Sequence, residues 1–274
     1  MSDPPTLTRH GASFQNRVVF CDAHLHLVDL ESRDREFANR PLPFEWRGAV
    51  VSHDAQEFEL SEGICRLLPP TVAGFGIHPQ NPDMSNAETL IRLCRESRIG
   101  FIGEAGFDFF GDTPLRMRTA QAMRLQTEAF LFQVKLAASE QLPLVIHIRK
   151  ATDVLMAHSR ELELVPSVIF HCWPGRLEEA RMLIGKGINA FFSFGTPLLR
   201  DSRHALETLS GLPPERLLSE TDAPWQPPHG CAWTELRHIR PIVEKMAAVR
   251  GLPLEEMQLQ LLENFRTAFG LEQE

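Results

Sequence analysis

Histidines and carboxylates that could bind metal ions stand at or near the ends of short apolar runs along the chain. The first run leads into the motif DAHLH, in which His24 and His26 lie two residues apart. Side chains alternate across an extended strand, so these two imidazoles point to the same side and can bind one metal ion. The polar residues at the ends of the later runs are His53, His78, Glu104, His147, His171, Ser193 and Asp222.

Any one of these residues alone fits an ordinary polar or structural role, but together they favour a metal site. Four imidazoles and two carboxylates are enough for two divalent ions. A carboxylate can bridge two ions with its two oxygens, whereas a neutral imidazole binds one, so Glu104 is the natural bridge. Such ligands suit zinc or manganese better than calcium, with magnesium less natural. Two ions about 3.5–4 Å apart stabilise the entering and leaving oxygens of a displacement and acidify bound water. The predicted metal ligands are His24, His26, Glu104, His147, His171 and Asp222.

The apolar runs have the length and continuity of strands buried on both faces of a parallel sheet. Eight of them alternate with helical patterns, which predicts an α/β fold, a single (β/α)8 TIM barrel with the metal site at the C-terminal mouth of its strands. Two doubly wound halves are the alternative, but no Pro/Gly/Ser-rich linker divides the chain and no G-x-G-x-x-G follows a strand. The predicted strands are 18–23, 48–52, 72–77, 100–103, 143–146, 167–170, 189–193 and 216–219, and the predicted helices are 86–98, 115–140, 176–185, 202–210, 233–248 and 254–269.

Composition narrows the class of protein further. The 274 residues carry a net charge of -8, which argues against an electrostatic coat for DNA, and the 43% hydrophobic content excludes a disordered chain. No apolar stretch approaches the roughly 20 residues of a membrane helix, so we expect no membrane partner. Residues 1–17 are polar and predict a flexible arm before a single barrel domain at 18–274. The odd number of cysteines, five, without C-x-x-C spacing, predicts reduced thiols and a cytoplasmic location.

Six motifs of this sequence resemble the TatD family of metal-dependent deoxyribonucleases, within the amidohydrolase superfamily. They are CDAHLHL, GFGIHPQ, GEAGFDFF, LPLVIHIRKA, VIFHCWPG and LLSETDAPW, in the family's order across roughly residues 18–270. The segment ENFRTAFG also resembles the family's closing helix. The resemblance implies a barrel that hydrolyses DNA phosphodiester bonds from the 3′ end with two divalent ions.

The resemblance also implies how the metal ligands divide. His24 and His26 would bind the first ion, and His147 and His171 would bind the second. Glu104 would bridge the two ions and would, with Asp222, be one of the two catalytic residues. It stands where many dinuclear amidohydrolases have a carboxylated lysine, and no lysine ends strand four of this chain. The absence of that lysine moves the prediction away from urease-like and dihydroorotase-like enzymes.

Three more residues complete the expected catalytic and substrate-binding set. By the resemblance, Asp222 would contact the first ion and act as general base on the attacking water, a role that suits a carboxylate near both metal and water. His78, in the motif GIHP, would contact a substrate phosphate. Arg149 lies two residues beyond His147, and its planar guanidinium also suits a phosphate.

Several positions near the expected mouth leave the choice of substrate open. Phe109 and Phe110 stand where the family commonly has tyrosine, and Trp173-Pro174 replaces a usual Phe-Ser. We expect Asp108 to order its loop, and we treat His53 as structural. Trp225 fits two roles, stacking on a base or forming a wall of the pocket. We expect the arginine-rich segment 31–47 to be a solvated loop. We expect Cys21 and Cys172 to be small packing residues.

These expectations support three hypotheses. The leading one is a metal-dependent phosphodiesterase with 3′–5′ exonuclease action on DNA; a monomer is compatible with the sequence, which leaves the oligomeric state open. A second keeps the metal site for an ester or amide substrate, for example in the deacylation of aminoacyl-tRNA. The third is a barrel that only binds a partner, which would predict decay of the ligand set, yet all six ligand positions are filled.

Overall fold

Parallel strands and helices alternate along the chain in a computed structural model that describes residues 19–271. Within that range there are eight strands and nine α-helices. The predicted arm, residues 1–17, lies outside the described residues. The strands are Val19–Leu25 (β1), Glu45–Ser52 (β2), Thr71–Phe75 (β3), Phe101–Asp108 (β4), Leu144–Arg149 (β5), Val168–Phe170 (β6), Ala190–Phe194 (β7) and Leu217–Ser219 (β8). The helices are Leu27–Arg33 (α1), Ala55–Cys65 (α2), Ala87–Arg95 (α3), Ala120–Glu140 (α4), Thr152–Ala157 (α5), Leu177–Gly185 (α6), Arg203–Gly211 (α7), Ile239–Arg250 (α8) and Leu254–Phe269 (α9).

The strands form one sheet in sequential order, and every adjacent pair is parallel. The residues that follow β8 close the sheet onto β1. The Asp222 amide donates to the His24 carbonyl at 2.9 Å, and the His26 amide donates to the Ala223 carbonyl at 2.8 Å. The predicted (β/α)8 barrel is therefore confirmed, and its closure brings the first and last predicted metal-binding motifs side by side.

Apolar side chains fill the end of the barrel at which the strands begin. Phe101, Val145 and Phe191 are buried there with small residues of the neighbouring strands. The last turns of α9 seal this end, because Phe269 packs its ring 5.3 Å from that of Phe101. Among the described residues, this packing closes the barrel at the end where the strands begin.

Two buried glutamines on α4 hold the loops that follow β3 and β4. Thr119 caps the helix by accepting a hydrogen bond from the Ala122 amide, so α4 begins five residues after the predicted start at 115. The Gln126 side chain bonds both the amide and the carbonyl of Asp108, at 2.9 and 3.0 Å. Gln133 does the same for Ile77, at 2.8 and 3.0 Å. Since each glutamine satisfies two buried backbone groups, the two loops are fixed against the helix.

The largest departure from the predicted elements lies in β4. We expected a strand at 100–103 that ends before Glu104, but β4 runs from Phe101 to Asp108 and Glu104 lies within it. Two glycines and two acidic residues interrupt the apolar pattern by which a strand is recognised. Gly106 is required because a side-chain carbon there would meet the His147 carbonyl of β5 at 2.1 Å, and its φ is +139°.

The helices differ from the predicted set at other places. Helices α1, α2 and α5 were not predicted. The segment predicted as a helix at 233–248 begins its α-helix only at Ile239, after a short 3-10 turn at Leu236–His238. The segment 31–47, expected to be a loop, forms the end of α1, a 3-10 turn at Phe37–Asn39 and the start of β2.

Candidate dinuclear metal centre

Glu104 lies at the centre of the mouth, almost completely buried, with 1% of its surface exposed. Its two oxygens face two different groups of imidazoles within the described part of the chain. Three imidazoles lie nearest to each oxygen. Oε2 lies 3.5 Å from His24 Nε2, 3.5 Å from His26 Nε2 and 3.2 Å from His53 Nε2, whereas Oε1 lies 3.7 Å from His78 Nε2, 3.1 Å from His147 Nδ1 and 2.8 Å from His171 Nε2.

Asp222 joins the group on the Oε2 side. Its Oδ1 lies 3.5 Å from His26 Nε2 and 3.8 Å from His24 Nε2. Its other oxygen, Oδ2, accepts a hydrogen bond from the Gln226 side chain at 2.7 Å. The carboxylate is therefore held with one oxygen toward the imidazoles and the other toward an amide donor.

The donor atoms fit divalent metal ions. Within the two groups, His24 Nε2 and His26 Nε2 lie 3.2 Å apart, and His147 Nδ1 and His171 Nε2 lie 2.9 Å apart. Glu104 Oε2 is buried without a hydrogen-bond partner, a costly arrangement unless a cation compensates it. Three-residue sets with donor atoms within 4.8 Å of one another are His24/His26/Asp222, His24/Glu104/His171, His26/His53/Glu104 and His78/Glu104/His147.

The carboxylates and imidazoles of the cluster strongly change each other's pKa values. Burial alone would raise the pKa of Glu104, but the imidazoles of His24, His171 and His78 hold it well below its usual range. Burial opposes a charge on His26, yet the hydrogen bond to Asp222 and the charge of Glu104 raise the pKa of His26 to about 9. Burial likewise opposes a charge on His171, but the charge of Glu104 and the hydrogen bond to it raise the pKa of His171 well above its usual range. Metal ions must displace protons from both imidazoles, because only neutral imidazole is a ligand.

Asp108 orients one imidazole from outside the cluster. Its Oδ2 lies 3.1 Å from His147 Nε2 and accepts a hydrogen bond from the Gln80 side chain at 2.6 Å. Its Oδ1 accepts from the Phe110 amide at 2.8 Å. Asp108 thus orders its loop, as expected, and a carboxylate behind a ligand histidine also fixes the ring and raises its basicity.

Two further buried acidic residues lie beside the candidate ligands, and the sequence prediction did not include them. Glu220 places Oε1 3.9 Å from His171 Nδ1 and receives the Ser193 hydroxyl on its other oxygen. Asp22 accepts from the Thr221 amide at 2.8 Å and hydroxyl at 2.6 Å, and burial raises the pKa of Asp22 to about 8. Each precedes a metal-ligand candidate by two residues, and that spacing is the signal that could have found them.

His78 presents a proton donor to the cluster. Its Nδ1 accepts a hydrogen bond from the Gln80 amide at 3.1 Å, so the ring proton of the neutral imidazole is on Nε2. Nε2 lies 3.7 Å from Glu104 Oε1. Burial, partly offset by Glu104, lowers the pKa of His78 well below its usual range, which keeps the ring neutral.

His53 differs from its expected role. We expected a structural histidine, but its Nε2 lies 3.2 Å from Glu104 Oε2, and its ring lies 4.9 Å from that of His78 and 5.7 Å from that of His26. A lone histidine after a strand carries no motif in the sequence, and only closure of the barrel brings it to the cluster.

The remaining predicted residues lie around the rim. Arg149 ends β5, and its guanidinium lies 4.4 Å from the centroid of the Phe110 ring. Trp225 is 43% exposed, with the Arg33 guanidinium 5.7 Å from its ring. Cys21 packs in the inner core as expected, whereas Cys172 contacts the Gln226 side chain. All five cysteines are free, and no helix among residues 19–271 is long and apolar enough to cross a membrane.

A parallel barrel with buried imidazoles and carboxylates at the carboxyl ends of its strands defines a class of metal-dependent hydrolases. Residues 21–270 match the family model described as TatD related DNase. The chain belongs to this family, and it is a metal-dependent hydrolase that acts on ester bonds.

Individual relatives support this assignment. The chain is 31% identical over 210 residues to a protein named 3′-5′ ssDNA/RNA exonuclease TatD from Klebsiella pneumoniae, covering 72% of this chain and 76% of that protein. It is 28% identical to an uncharacterized metal-dependent hydrolase of Mycoplasma pneumoniae, covering 91% and 99%. The crystal structure of YjjV, a TatD homologue from Escherichia coli K12, has the same fold, with a TM-score of 0.75 and 24% identity, covering 92% and 98%.

Proposed function

We propose that this hydrolase removes nucleotides from the 3′ end of single-stranded DNA by phosphodiester hydrolysis with two divalent ions. The observation that carries the proposal is the division of imidazoles between the two oxygens of Glu104. Such a division suits a carboxylate that bridges two ions. The choice of substrate is supported by the family and by the named activity of the Klebsiella relative.

Each ion would have its own ligands. His24, His26 and Asp222 would hold one, His147 and His171 would hold the other, and Glu104 would contact both. The ions, zinc, manganese or magnesium, would supply positive charge for phosphate oxygens and acidify a bound water when present. His53 is a further donor on the Oε2 side of Glu104.

Asp222 is the proposed general base. One oxygen faces the histidine pair, and the other is held by Gln226 at 2.7 Å, so the carboxylate is oriented before substrate arrives. The imidazoles around it hold the pKa of Asp222 below its usual range despite burial, which keeps it ionised and able to accept a proton from the attacking water.

His78 and Arg149 are the proposed contacts to substrate phosphate. The Nε2–H of the neutral His78 points toward the cluster and can donate to a nonbridging oxygen. Arg149 offers its guanidinium at the rim. A net charge of -8 favours action at a strand end over binding along a duplex. The free cysteines suit the proposed cytoplasmic location.

A matrix of metals against substrates tests this function. The metal-stripped protein is supplied with Mg²⁺, Mn²⁺ or Zn²⁺ and given single-stranded DNA, duplex DNA, aminoacyl-tRNA and a simple acyl ester. We expect metal-dependent shortening of single-stranded DNA. Hydrolysis of an acyl substrate with intact DNA would contradict the proposal and favour the ester or amide alternative.

A pair of variants assigns the base. Asp222→Asn keeps the side-chain shape, and we expect it to lower the cleavage rate roughly 100- to 10,000-fold, the range for a lost general base. Asp201→Asn is the control, because Asp201 lies on the surface and pairs with Lys245. Circular dichroism verifies that both variants fold. Equal activity of the two variants would remove Asp222 from the mechanism.

A further inference from the structure

An open cleft lies at the rim of the mouth beside β4 and β5, outside the metal centre. Its volume is about 600 Å³. Phe110 is 49% exposed, and Phe110 and Trp225 are the two aromatic residues among the large exposed hydrophobic side chains within residues 19–271. The lining residues are Phe109, Phe110, Gly111, Asp112, Arg118 and Lys150.

Cations surround the aromatic residues of this cleft. The Arg149 guanidinium lies 4.4 Å from the Phe110 ring centroid, and the Arg118 guanidinium lies 5.5 Å from that of Phe109. Arg118 also pairs with Asp153, while Lys150 lines the cleft and is exposed. Positive side chains next to an exposed ring, on a chain of net charge -8, form a local site for an anion that also has an aromatic face.

The cleft is connected rigidly to the metal centre. Asp108 binds the Phe110 amide with one oxygen, at 2.8 Å, and its other oxygen lies 3.1 Å from His147 Nε2. Asp108 and Arg149 are register partners across β4 and β5. His147 and Arg149 are two residues apart on β5, so their side chains leave the same side of the strand and their Cα atoms lie about 6.6 Å apart. A nucleotide next to a phosphate held at the metal centre would therefore be within reach of this cleft.

We propose that the cleft binds one nucleotide of single-stranded DNA next to the scissile bond. Its base stacks on Phe110, and Lys150 pairs with its phosphate. Every base has an aromatic face, so this subsite favours an unpaired strand without selecting sequence. The inference rests on the proposed nuclease function, since the ligand is a neighbouring part of the same substrate.

Abasic substitution tests the stacking contact. A set of single-stranded oligonucleotides carries one abasic nucleotide at successive positions from the 3′ end, and kcat/KM is measured for each. For the unmodified protein we expect one position near the 3′ end at which loss of the base lowers kcat/KM roughly 5- to 150-fold, the range for one stacked base. In Phe110→Ala that decrease should shrink to less than about threefold, and in Phe110→Trp it should persist.

Leu164→Ala is the matched control, because Leu164 is 74% exposed in the 3-10 turn Glu161–Leu164 and does not line the cleft. It should retain the decrease of the unmodified protein. An undiminished decrease in Phe110→Ala overturns the subsite while leaving the nuclease function intact. Failure of the unmodified, metal-loaded protein to shorten the intact oligonucleotide overturns the nuclease function itself, and the subsite with it.

The salt dependence of KM tests the phosphate contact separately. Lys150→Gln should reduce the slope of log KM against log salt concentration by about 0.7, the value for one released counterion on a single strand. An unchanged slope in this variant would remove Lys150 from the subsite.

Discussion

Replacing the central carboxylate, Glu104→Gln, should abolish coupled binding of two ions. Glu104 belongs to three of the four candidate metal sets, and each of its oxygens faces its own imidazoles. The amide keeps the shape of the side chain but loses its charge and one of its two oxygen donors. Loss of a group that only supports a metal ligand costs about 10- to 100-fold in affinity. Loss of a ligand shared by both ions should exceed about 100-fold for each, or about 2.7 kcal/mol per ion.

Isothermal titration of the metal-stripped protein with Zn²⁺ or Mn²⁺ measures this loss directly. The unmodified protein should bind two ions per chain, and the variant should bind each at least about 100-fold more weakly and lose cleavage activity. Glu207→Gln is the control, since Glu207 pairs with Arg203 on the surface. Thermal unfolding in chelator verifies that the variants remain folded. Two ions bound by Glu104→Gln with unchanged affinity would refute the bridging role.

Three other predictions concern protonation, orientation and packing. Metal binding must displace the proton that His26 holds up to a pKa of about 9, so metal affinity should rise with pH, about tenfold per unit for each displaced proton, and the contribution of His26 to this rise should end above pH 9. A profile that is flat from pH 6 to 8 in chelator competition would contradict this. Gln226→Leu removes the hydrogen bond to Asp222 and should lower kcat about 10- to 100-fold with little change in KM, whereas an unchanged kcat would show that the base needs no such support. Phe269→Ala opens a cavity beside Phe101 and should lower the free energy of unfolding, measured by chemical denaturation, by about 3–5 kcal/mol. We expect kcat/KM to stay within twofold. A large loss of activity in the folded variant would mean that packing at this end of the barrel also controls the mouth.

The barrel, and the gathering of most of the candidate ligands at its mouth, could be predicted from the sequence because buried parallel strands leave a simple signal. An apolar run that ends in histidine identifies both a strand and a candidate ligand, as at His171 after β6. The one strand predicted far too short, β4, carries Glu104 and Asp108 in buried positions. Acidic residues of the proposed metal centre stand there in place of the apolar residues by which a strand is recognised. The apolar pattern therefore failed to predict the strand that carries the central carboxylate.

Other features depend on distances that a linear pattern does not contain. Gln226 reaches Asp222 from four residues along a loop, and His53 reaches the cluster from the end of β2. Two of the helices that were not predicted, α2 and α5, were missed for physical reasons as well. Helix α5 spans only six residues, and the buried face of α2 includes a serine, Ser61, so neither presents a regular apolar period.

Anomalous X-ray scattering from crystals grown with Mn²⁺ tests the central claim most directly. Two ions bridged by Glu104 should give two strong peaks, one beside His24, His26 and Asp222 and the other beside His147 and His171. Each peak should lie within bonding distance of one Glu104 oxygen. A single peak, or two peaks that share no contact with Glu104, would contradict the dinuclear centre and the mechanism proposed from it.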